Sequence, residues 1–171
     1  ESYVDSLNIP LDGSTPEIHA MSRKDMESYF TFFDILRYYL ENLDRKPNLI
    51  RVGTVYSKVT QNNFIEIVRK LEPFDKVIDT WKIYELIDYE FQPELRKPIV
   101  HEDGTFEIEM NNLLGNTTLA PKIKLAPAKS RDRAYFMINP RGEIVIPMNY
   151  DGVTSEIPIA NIMTDSLDEI V

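Results

Sequence analysis

The chain of 171 residues contains no cysteine. This absence excludes a disulfide framework, a cysteine-ligated zinc site, a thiol nucleophile and a cysteine-ligated iron-sulfur cluster within the chain itself. Histidine is nearly as scarce, with only His19 and His101, and neither stands in a metal-ligand spacing such as HxxxH. We interpret both as surface or loop residues rather than ligands. The sequence therefore predicts no metal site of its own.

An excess of positive charge is also missing. The chain has 19 basic against 28 acidic residues, a net charge of −9, and no segment in which Lys and Arg are dense. Proteins that bind nucleic acid need a basic surface against the phosphates. We therefore expect no nucleic-acid partner.

Long apolar runs are absent as well. No run approaches the roughly 20 residues that a membrane-spanning helix needs, and the first residues lack the basic-then-apolar order of a signal peptide. We expect a cytoplasmic protein without a membrane partner. Because Glu1 stands where an initiator Met would be, we also expect a truncated polypeptide.

Strand-like and helix-like segments alternate in the first half of the chain. Short segments that are β-branched or have a period of two predict strands, and apolar residues spaced by three and four predict amphipathic helices. The order is strand 4–11, helix 25–43, strand 49–57, helix 61–71 and strand 77–87. This alternation predicts parallel βαβ units with right-handed crossovers. Three parallel strands leave two exposed edges, so we expect the sheet to pair with further strands.

Turn formers separate the first predicted strand from the first predicted helix. Residues 12–16 have the sequence Asp-Gly-Ser-Thr-Pro and predict a loop. Asp25 directly precedes the helical spacing, and its carboxylate is suited to accept the first free backbone N–H groups of a helix. We therefore predict Asp25 as the N-cap.

The second half has a different character, with many prolines and no long helical period. Residues 105–110 alternate between polar and apolar side chains, which predicts a strand. Two apolar segments flank Asn139-Pro140-Arg141-Gly142 and predict a β-hairpin at about 134–148. Residues 157–163 add an extended piece, and a short terminal helix is expected at about 165–171. We divide the chain into a first domain at 1–91 and a C-terminal extension, mostly β or irregular, at 92–171.

Three segments together resemble the radical S-adenosylmethionine (radical SAM) superfamily. Residues 7–23 (LNIPLDGSTPEIHAMSR), 50–67 (IRVGTVYSKVTQNNFIEI) and 79–86 (DTWKIYEL) are similar to the fourth, fifth and sixth strands of that family with their following turns. The closest resemblance within it is to viperin-like and related enzymes. Residues 134–147 (AYFMINPRGEIVIP) are similar to the tail that follows the barrel in those proteins.

The resemblance implies an α/β fold made of three parallel βα units of a partial (β/α)6 barrel. It also implies radical chemistry that depends on SAM and a [4Fe-4S] cluster in the full-length enzyme. The family holds that cluster with a CxxxCxxC loop, and this chain has no such motif. We therefore expect a C-terminal fragment that binds neither cofactor and is inactive alone. Its expected partners are the missing N-terminal half, or a second copy through the open sheet edge.

Contacts to SAM are implied near the carboxyl ends of the first two strands, where ligands of parallel sheets bind. Pro10 falls where relatives often use a Ser hydroxyl, so Asn8 and Asp12 are the nearby polar candidates. For Asp12, a role as turn former is an equal alternative. Arg23 matches an Arg that contacts the SAM carboxylate, which a guanidinium suits; a solvated Arg is the alternative.

The other implied contacts lie on the second and third strands. Gly53 and Thr54 match a position that faces the cofactor, although a strand Gly can also serve a close backbone approach. Lys82 and Tyr84 share one face of the third strand, opposite Trp81. Either Lys82 and Tyr84 line the barrel while Trp81 packs under a helix, or Trp81 lines the barrel while the other two pack. A packing role is favoured for Trp81. We interpret the acidic residues of 85–90 as a solvated strand end.

A different class of function stays open. A stand-alone, non-enzymatic α/β binding or interaction module could keep the same half-barrel as its scaffold, because fold alone does not determine function. The reading frame upstream of Glu1 discriminates between the two hypotheses. A CxxxCxxC motif there favours the enzyme, and a start codon favours the module. The sequence does not select a substrate.

Overall fold

The computed structural model of the chain describes residues 4–87, 99–102, 104–150 and 153–166. It divides into two compact units. The first comprises Glu1–Leu86 and Pro98–Ala126, and the second comprises Ile87–Lys97 and Pro127–Val171. The predicted domain boundary at residue 91 lies outside the described residues. The first unit also takes in residues up to Ala126, which the sequence interpretation had placed in the extension.

A four-stranded parallel sheet forms the centre of the first unit. The strands are β1 (Ser6–Pro10), β2 (Leu49–Tyr56), β3 (Thr80–Glu85) and β4 (Ile123–Ala126), and they are adjacent in chain order. All three neighbouring pairs are parallel. The predicted α/β class with parallel βα units is confirmed, but the count of three strands is wrong. β4 was missed because its four residues, which lie between Pro121 and Pro127, are too few to show a period.

Helices connect the strands of this unit. They are α1 (Pro16–Arg23), α2 (Glu27–Glu41), α3 (Phe64–Leu71) and α4 (Thr105–Gly115), with 3-10 turns at Leu43–Arg45, Glu72–Phe74 and Ala120–Lys122. None of the helices in the described ranges combines the length and the apolar composition that crossing a bilayer requires.

At the start of α2 the Asp25 side chain accepts the free N–H groups as expected, although the residue that directly precedes the helix is Met26. The Oδ1 of Asp25 accepts hydrogen bonds from the backbone N–H groups of Glu27 and Ser28 at 2.9 and 3.4 Å. The preceding helix α1 was not predicted. It begins after Thr15, whose hydroxyl oxygen accepts the N–H of Ile18 at 3.3 Å. Thr15 followed by Pro16 is a helix-start pattern, so the signal for α1 was present within the predicted loop.

The predicted strand at 105–110 is wrong, because these residues begin α4. Phe106, Met110 and Leu113 are buried, at spacings of four and three, and belong to the core. A strand would have placed Ile108 on the same face as Phe106 and Met110, yet 73% of Ile108 is exposed. Phe106 and Met110 fit both periods, so the six-residue window could not distinguish a helix from a strand.

The core lies on one face of the parallel sheet. Ile9, Val52, Trp81 and Ile123 form a row across the four strands through the strand register. These side chains join the buried residues of α2, α3 and α4 in one hydrophobic cluster. Trp81 is completely buried, with its ring stacked on Phe64 at 6.1 Å between centroids. The packing role predicted for Trp81 is confirmed.

The second unit contains a three-stranded antiparallel sheet, β5 (Met137–Ile138), β6 (Glu143–Tyr150) and β7 (Val153–Asn161), in that order; a 3-10 turn at Ala128–Arg131 precedes it. The predicted hairpin is confirmed as β5 and β6, and the extended piece as part of β7. Gly142 has φ +78° in the turn, a conformation that glycine adopts without strain. The Oδ1 of Asn139 accepts the N–H of Glu143 at 3.1 Å. The predicted terminal helix lies largely outside the described residues.

Candidate functional site

The second face of the parallel sheet, which we call the polar face, is the candidate site. Alternate strand residues point away from the core, and on this face they are Ser6, Asn8, Pro10, Leu49, Arg51, Gly53, Val55, Thr80, Lys82, Tyr84, Lys124 and Ala126. None of them belongs to the core cluster. Four of the seven site residues predicted from sequence therefore share one surface: Asn8, Gly53, Lys82 and Tyr84.

Gly53 lies in the middle of the polar face. It pairs with Pro10 on one side and with Lys82 on the other. A Cβ atom at Gly53 would lie 3.8 Å from the Oδ1 of Asn8 and 3.8 Å from the Cε2 of Tyr84. The missing side chain thus leaves a gap between an amide and an aromatic ring. Such a gap gives a ligand direct access to the backbone of β2.

The cations of the polar face lie on three neighbouring strands. Lys82 and Lys124 are Cα partners across β3 and β4, and Arg51 lies two residues before Gly53 on β2. The Nζ of Lys82 lies 4.8 Å from the centroid of the Tyr84 ring, a cation-π arrangement. None of the three cations forms a salt bridge with a residue of the described ranges, and no carboxylate occupies a strand position on this face. The face is basic although the chain carries a net charge of −9.

Asp12 lies just beyond the carboxyl end of β1 and has a structural role. Its Oδ1 accepts the backbone N–H of Val55 at 2.7 Å, and its Oδ2 accepts the Nε–H of Arg23 at 2.5 Å. Only 2% of Asp12 is exposed. The carboxylate therefore ties β1 to β2 and orients Arg23, whose side chain is 40% exposed. Of the two interpretations of Asp12, the contacts favour the structural one.

His19 completes the support of Asp12. The backbone N–H of Asp12 donates to the Nδ1 of His19 at 3.0 Å, so the imidazole carries its proton on Nε2 and donates it to the Oγ of Ser28 at 2.9 Å. Burial lowers the pKa of His19, partly opposed by the nearby Asp12 carboxylate. The interpretation of His19 as a surface or loop residue is wrong, since it lies in α1 and is completely buried.

Thr54 lies on the opposite face from the other predicted residues of β2 and β3. Its hydroxyl donates to the carbonyl of Leu11 at 2.7 Å and accepts the indole N–H of Trp81 at 2.9 Å. Thr54 is completely buried beneath the helices. Neighbouring strand residues point to opposite faces, so Gly53 and Thr54 could not both have faced one ligand. The period of two in β2 is by itself enough to predict that Thr54 lies opposite Gly53.

A further group lies at the carboxyl ends of β2 and β3 and was missed from sequence. The Nε2 of His101 lies 3.5 Å from the Oε1 of Glu85, and both side chains are largely buried. The His101 ring packs edge-on against Tyr56, at 4.8 Å between centroids. Burial raises the pKa of Tyr56 to about 12. Glu85 is therefore not part of a solvated strand end, and the rest of 85–90 lies largely outside the described residues.

These residues do not form a metal site. No group of three or more potential metal-ligating side chains occurs in the part of the chain that the structure describes. The pair formed by His101 and Glu85 instead fixes the segment that precedes α4 against the end of β3. Because Glu85 and His101 are 16 positions apart in the sequence, no local pattern predicts this contact.

Comparisons with known proteins give no match, either among protein-family models or among curated proteins.

Proposed function

We propose that this chain is the C-terminal part of a radical SAM enzyme, and that its polar face forms part of the inner wall of a partial (β/α)6 barrel. The topology of the parallel sheet carries this proposal. The strands follow one another in chain order, all parallel, and the core covers one face only. A doubly wound sheet reverses its strand order and covers both faces with helices. A barrel segment keeps its helices outside and its ligand-binding residues inside.

The polar face has features suited to SAM. The gap at Gly53 opens onto the backbone of β2, with the Asn8 amide and the Tyr84 ring on its two sides. These groups would offer a hydrogen-bonding amide and an aromatic surface to a nucleoside. Arg23 is oriented through its Nε by Asp12, so its terminal nitrogens are available to a carboxylate. When bound to a reduced cluster, SAM supplies a 5′-deoxyadenosyl radical.

The [4Fe-4S] cluster does not fit this chain. Thiolates hold such clusters, and the sequence contains no cysteine. In the proposed enzyme, the cluster therefore belongs to a cysteine-bearing segment outside these 171 residues. The fourth strand, β4, also differs from the family pattern, because the resemblance accounts only for the three strands that precede it.

The edge of the sheet at β1 supports pairing with such a segment. β1 pairs with β2 on one side and has no partner on the other among the described strands. Beside this edge, an open pocket of about 430 Å³ is lined by Leu7 and by the α2 residues Thr31, Asp34, Ile35, Tyr38 and Tyr39. A strand of a preceding βα unit would extend the sheet at β1 while its helix covers this pocket. In the isolated chain, the same edge favours self-association.

The proposal is tested with the complete reading frame that contains this chain. We expect the frame to encode a CxxxCxxC motif upstream of residue 1. The purified product, reconstituted anaerobically with iron and sulfide, should form 5′-deoxyadenosine from SAM and dithionite. The chain of 171 residues treated in the same way should not exceed a protein-free control.

Two results would overturn the proposal. One is a start codon at the position of Glu1, which would favour the stand-alone binding module. The other is a reconstituted, cluster-containing product that leaves SAM intact.

A further inference from the structure

We infer that the chain forms a two-fold symmetric dimer through β1, in which the β1 strands of two copies pair antiparallel with Asn8 of one copy opposite Asn8 of the other. This dimer is a property of the chain of 171 residues itself, and it can be measured without SAM or a cluster. The strand of a preceding βα unit would occupy the same edge, so the two kinds of pairing exclude each other.

The hydrogen bonds between β1 and β2 determine which backbone groups of β1 point outward. The backbone N–H of Leu49 donates to the carbonyl of Asp5 at 3.1 Å, and the N–H of Leu11 donates to the carbonyl of Gly53 at 2.9 Å. Successive residues of a strand direct their backbone groups to opposite sides, so the odd-numbered residues of β1 face β2. The even-numbered residues therefore face the open edge.

Three residues of β1 offer backbone groups at this edge. Ser6 and Asn8 each offer an N–H and a C=O, and these groups have no hydrogen-bond partner in the part of the chain that the structure describes. Pro10 has no N–H and offers only its carbonyl. Proline is tolerated on a sheet edge, where no ladder hydrogen bond from its nitrogen is needed.

The open edge of β1 is complementary to itself in the antiparallel direction. β1 spans Ser6–Pro10, so a two-fold axis at Asn8 pairs the strand over its whole length. In this register the two Asn8 residues exchange their N–H···O=C bonds, and the N–H of each Ser6 donates to the carbonyl of Pro10 in the other copy. Every donor of the two edges is then used. The missing N–H of Pro10 leaves only the Ser6 carbonyls without a partner.

The same register matches the side chains on the helix-covered face. Leu7 of one copy lies opposite Ile9 of the other, and both are apolar residues of the core or packed against it. Asp5 lies opposite Leu11, so no like charges face each other across the new strand pair. A register centred on Leu7 would instead place Asp5 opposite the buried Ile9.

Helix α2 provides the second part of the surface. The open pocket beside the edge lies between Leu7 and residues of α2 that include Ile35 and Tyr38, and Tyr38 is 46% exposed. A two-fold axis perpendicular to the joined sheet brings the α2 helices of both copies to the same side, next to the axis. Burial of these apolar groups adds to the backbone hydrogen bonds.

The lack of cysteine in the chain permits a direct crosslinking test. Opposite residues of a hydrogen-bonded antiparallel pair have Cα atoms about 5.5 Å apart, which lies within the range that a disulfide spans. We therefore expect Asn8→Cys to form a disulfide-linked dimer on oxidation. Ser6→Cys is the matched control, because Ser6 is also exposed on the same face of β1 but lies opposite Pro10 of the other copy. It should stay unlinked.

Pro10→Ala tests the contribution of the missing N–H. The substitution adds one donor in each copy opposite the free Ser6 carbonyl, so we expect the dissociation constant of the dimer to fall at least about fivefold. Pro158→Ala, at a strand proline of the second unit, should leave it unchanged. Sedimentation velocity over a wide range of concentrations measures the dissociation constants, and circular dichroism checks that the variants are folded.

Four results would each reject the dimer through β1. They are a wild-type chain that stays monomeric at every concentration, an Asn8→Cys variant that is not crosslinked, a Ser6→Cys variant that is crosslinked as efficiently, and an unchanged dissociation constant in Pro10→Ala. Formation of 5′-deoxyadenosine is measured on the complete enzyme, so a failure here is distinguishable from a failure of the proposed function.

Discussion

The Nε of Arg23 donates a hydrogen bond to the Oδ2 of Asp12 at 2.5 Å, while the other oxygen of Asp12 accepts the backbone N–H of Val55. The Asp12 side chain is buried, whereas the Arg23 side chain is 40% exposed. Two residues that the sequence offered as separate ligand contacts are thus one ion pair that links β1, α1 and β2.

The first prediction concerns this ion pair. Arg23→Ala leaves the buried Asp12 carboxylate without its charged donor, so we expect a loss of about 1–3 kcal/mol in the free energy of unfolding. Arg37→Ala is the matched control, because Arg37 pairs with Asp34 on the surface and both side chains are mostly exposed. Its loss should stay below about 0.5 kcal/mol. Urea unfolding measures both, and equal losses would contradict the structural role of Asp12.

The second prediction follows from the lowered pKa of His19. In the unfolded chain, histidine takes up a proton below about pH 6.5; in the native state, the Nδ1 of His19 accepts the N–H of Asp12 and resists protonation. The stability that this difference provides is fully present above about pH 6.5 and is lost as the pH falls towards the folded pKa.

His19→Asn keeps an acceptor near the position of Nδ1 but cannot titrate. We expect the variant to lose less stability than the wild type between pH 7.5 and 5.5, as measured by urea unfolding at the two pH values. Ser28→Ala retains the imidazole and should keep the wild-type pH dependence. The same pH dependence in His19→Asn as in the wild type would show that His19 is not the responsible group.

The third prediction concerns Tyr56. Burial raises its pKa to about 12, with Thr105 and Glu109 close to the hydroxyl, but neither meets the geometry of a hydrogen bond, and the hydroxyl has no other such partner within the described residues. The raised pKa means that the folded state favours the neutral form of Tyr56. The stability that depends on this neutral form is present below about pH 10, the pKa of an unfolded tyrosine, and is lost as the pH rises towards 12. Tyr56→Phe should therefore be at least as stable as the wild type at pH 7, and should lose less stability between pH 9 and 11.

Tyr150→Phe provides the control, since Tyr150 is 55% exposed. This substitution should leave the alkaline decrease in stability unchanged. A clear loss of stability in Tyr56→Phe at pH 7 would mean that the hydroxyl makes a favourable hydrogen bond.

The fourth prediction concerns the pairing of Lys82 with Lys124 on the polar face. Lys124→Glu replaces the repulsion between Lys82 and Lys124 by attraction, so we expect the free energy of unfolding to rise by about 0.2–1 kcal/mol. Lys124→Gln should raise it by a smaller amount. A Lys124→Glu variant that is less stable than Lys124→Gln would show that the two side chains do not repel each other.

Sequence periodicity predicted the parallel core well because its strands are strongly patterned. In β2, Ile50, Val52, Thr54 and Tyr56 are all buried and alternate with half-buried residues. The period also places Gly53 and Lys82 on the other face, where the structure has them. The resemblance places Thr54 on the same face as Gly53, whereas the period of two places it on the opposite face, where the structure has it.

Other features could not be predicted from the sequence, for physical reasons. β4 has four residues and shows no period of its own, so only its pairing with β3 identifies it as a strand. The contact between Glu85 and His101, and the one between Asp12 and Val55, join residues far apart in the chain. Such contacts depend on the tertiary fold, and single-sequence patterns do not record them. The pairing of Lys82 with Lys124 is of the same kind.

We propose that the polar face around Gly53 holds SAM, and the decisive measurement is the rate of 5′-deoxyadenosine formation by the reconstituted complete enzyme. Gly53→Leu fills the gap between Asn8 and Tyr84, whereas Gly115→Leu adds the same side chain at an exposed helix end with no atom within 4 Å of its Cβ. We expect Gly53→Leu to lower the rate at least about tenfold and Gly115→Leu to keep the wild-type rate. A wild-type rate in a folded, cluster-containing Gly53→Leu enzyme would contradict this proposal.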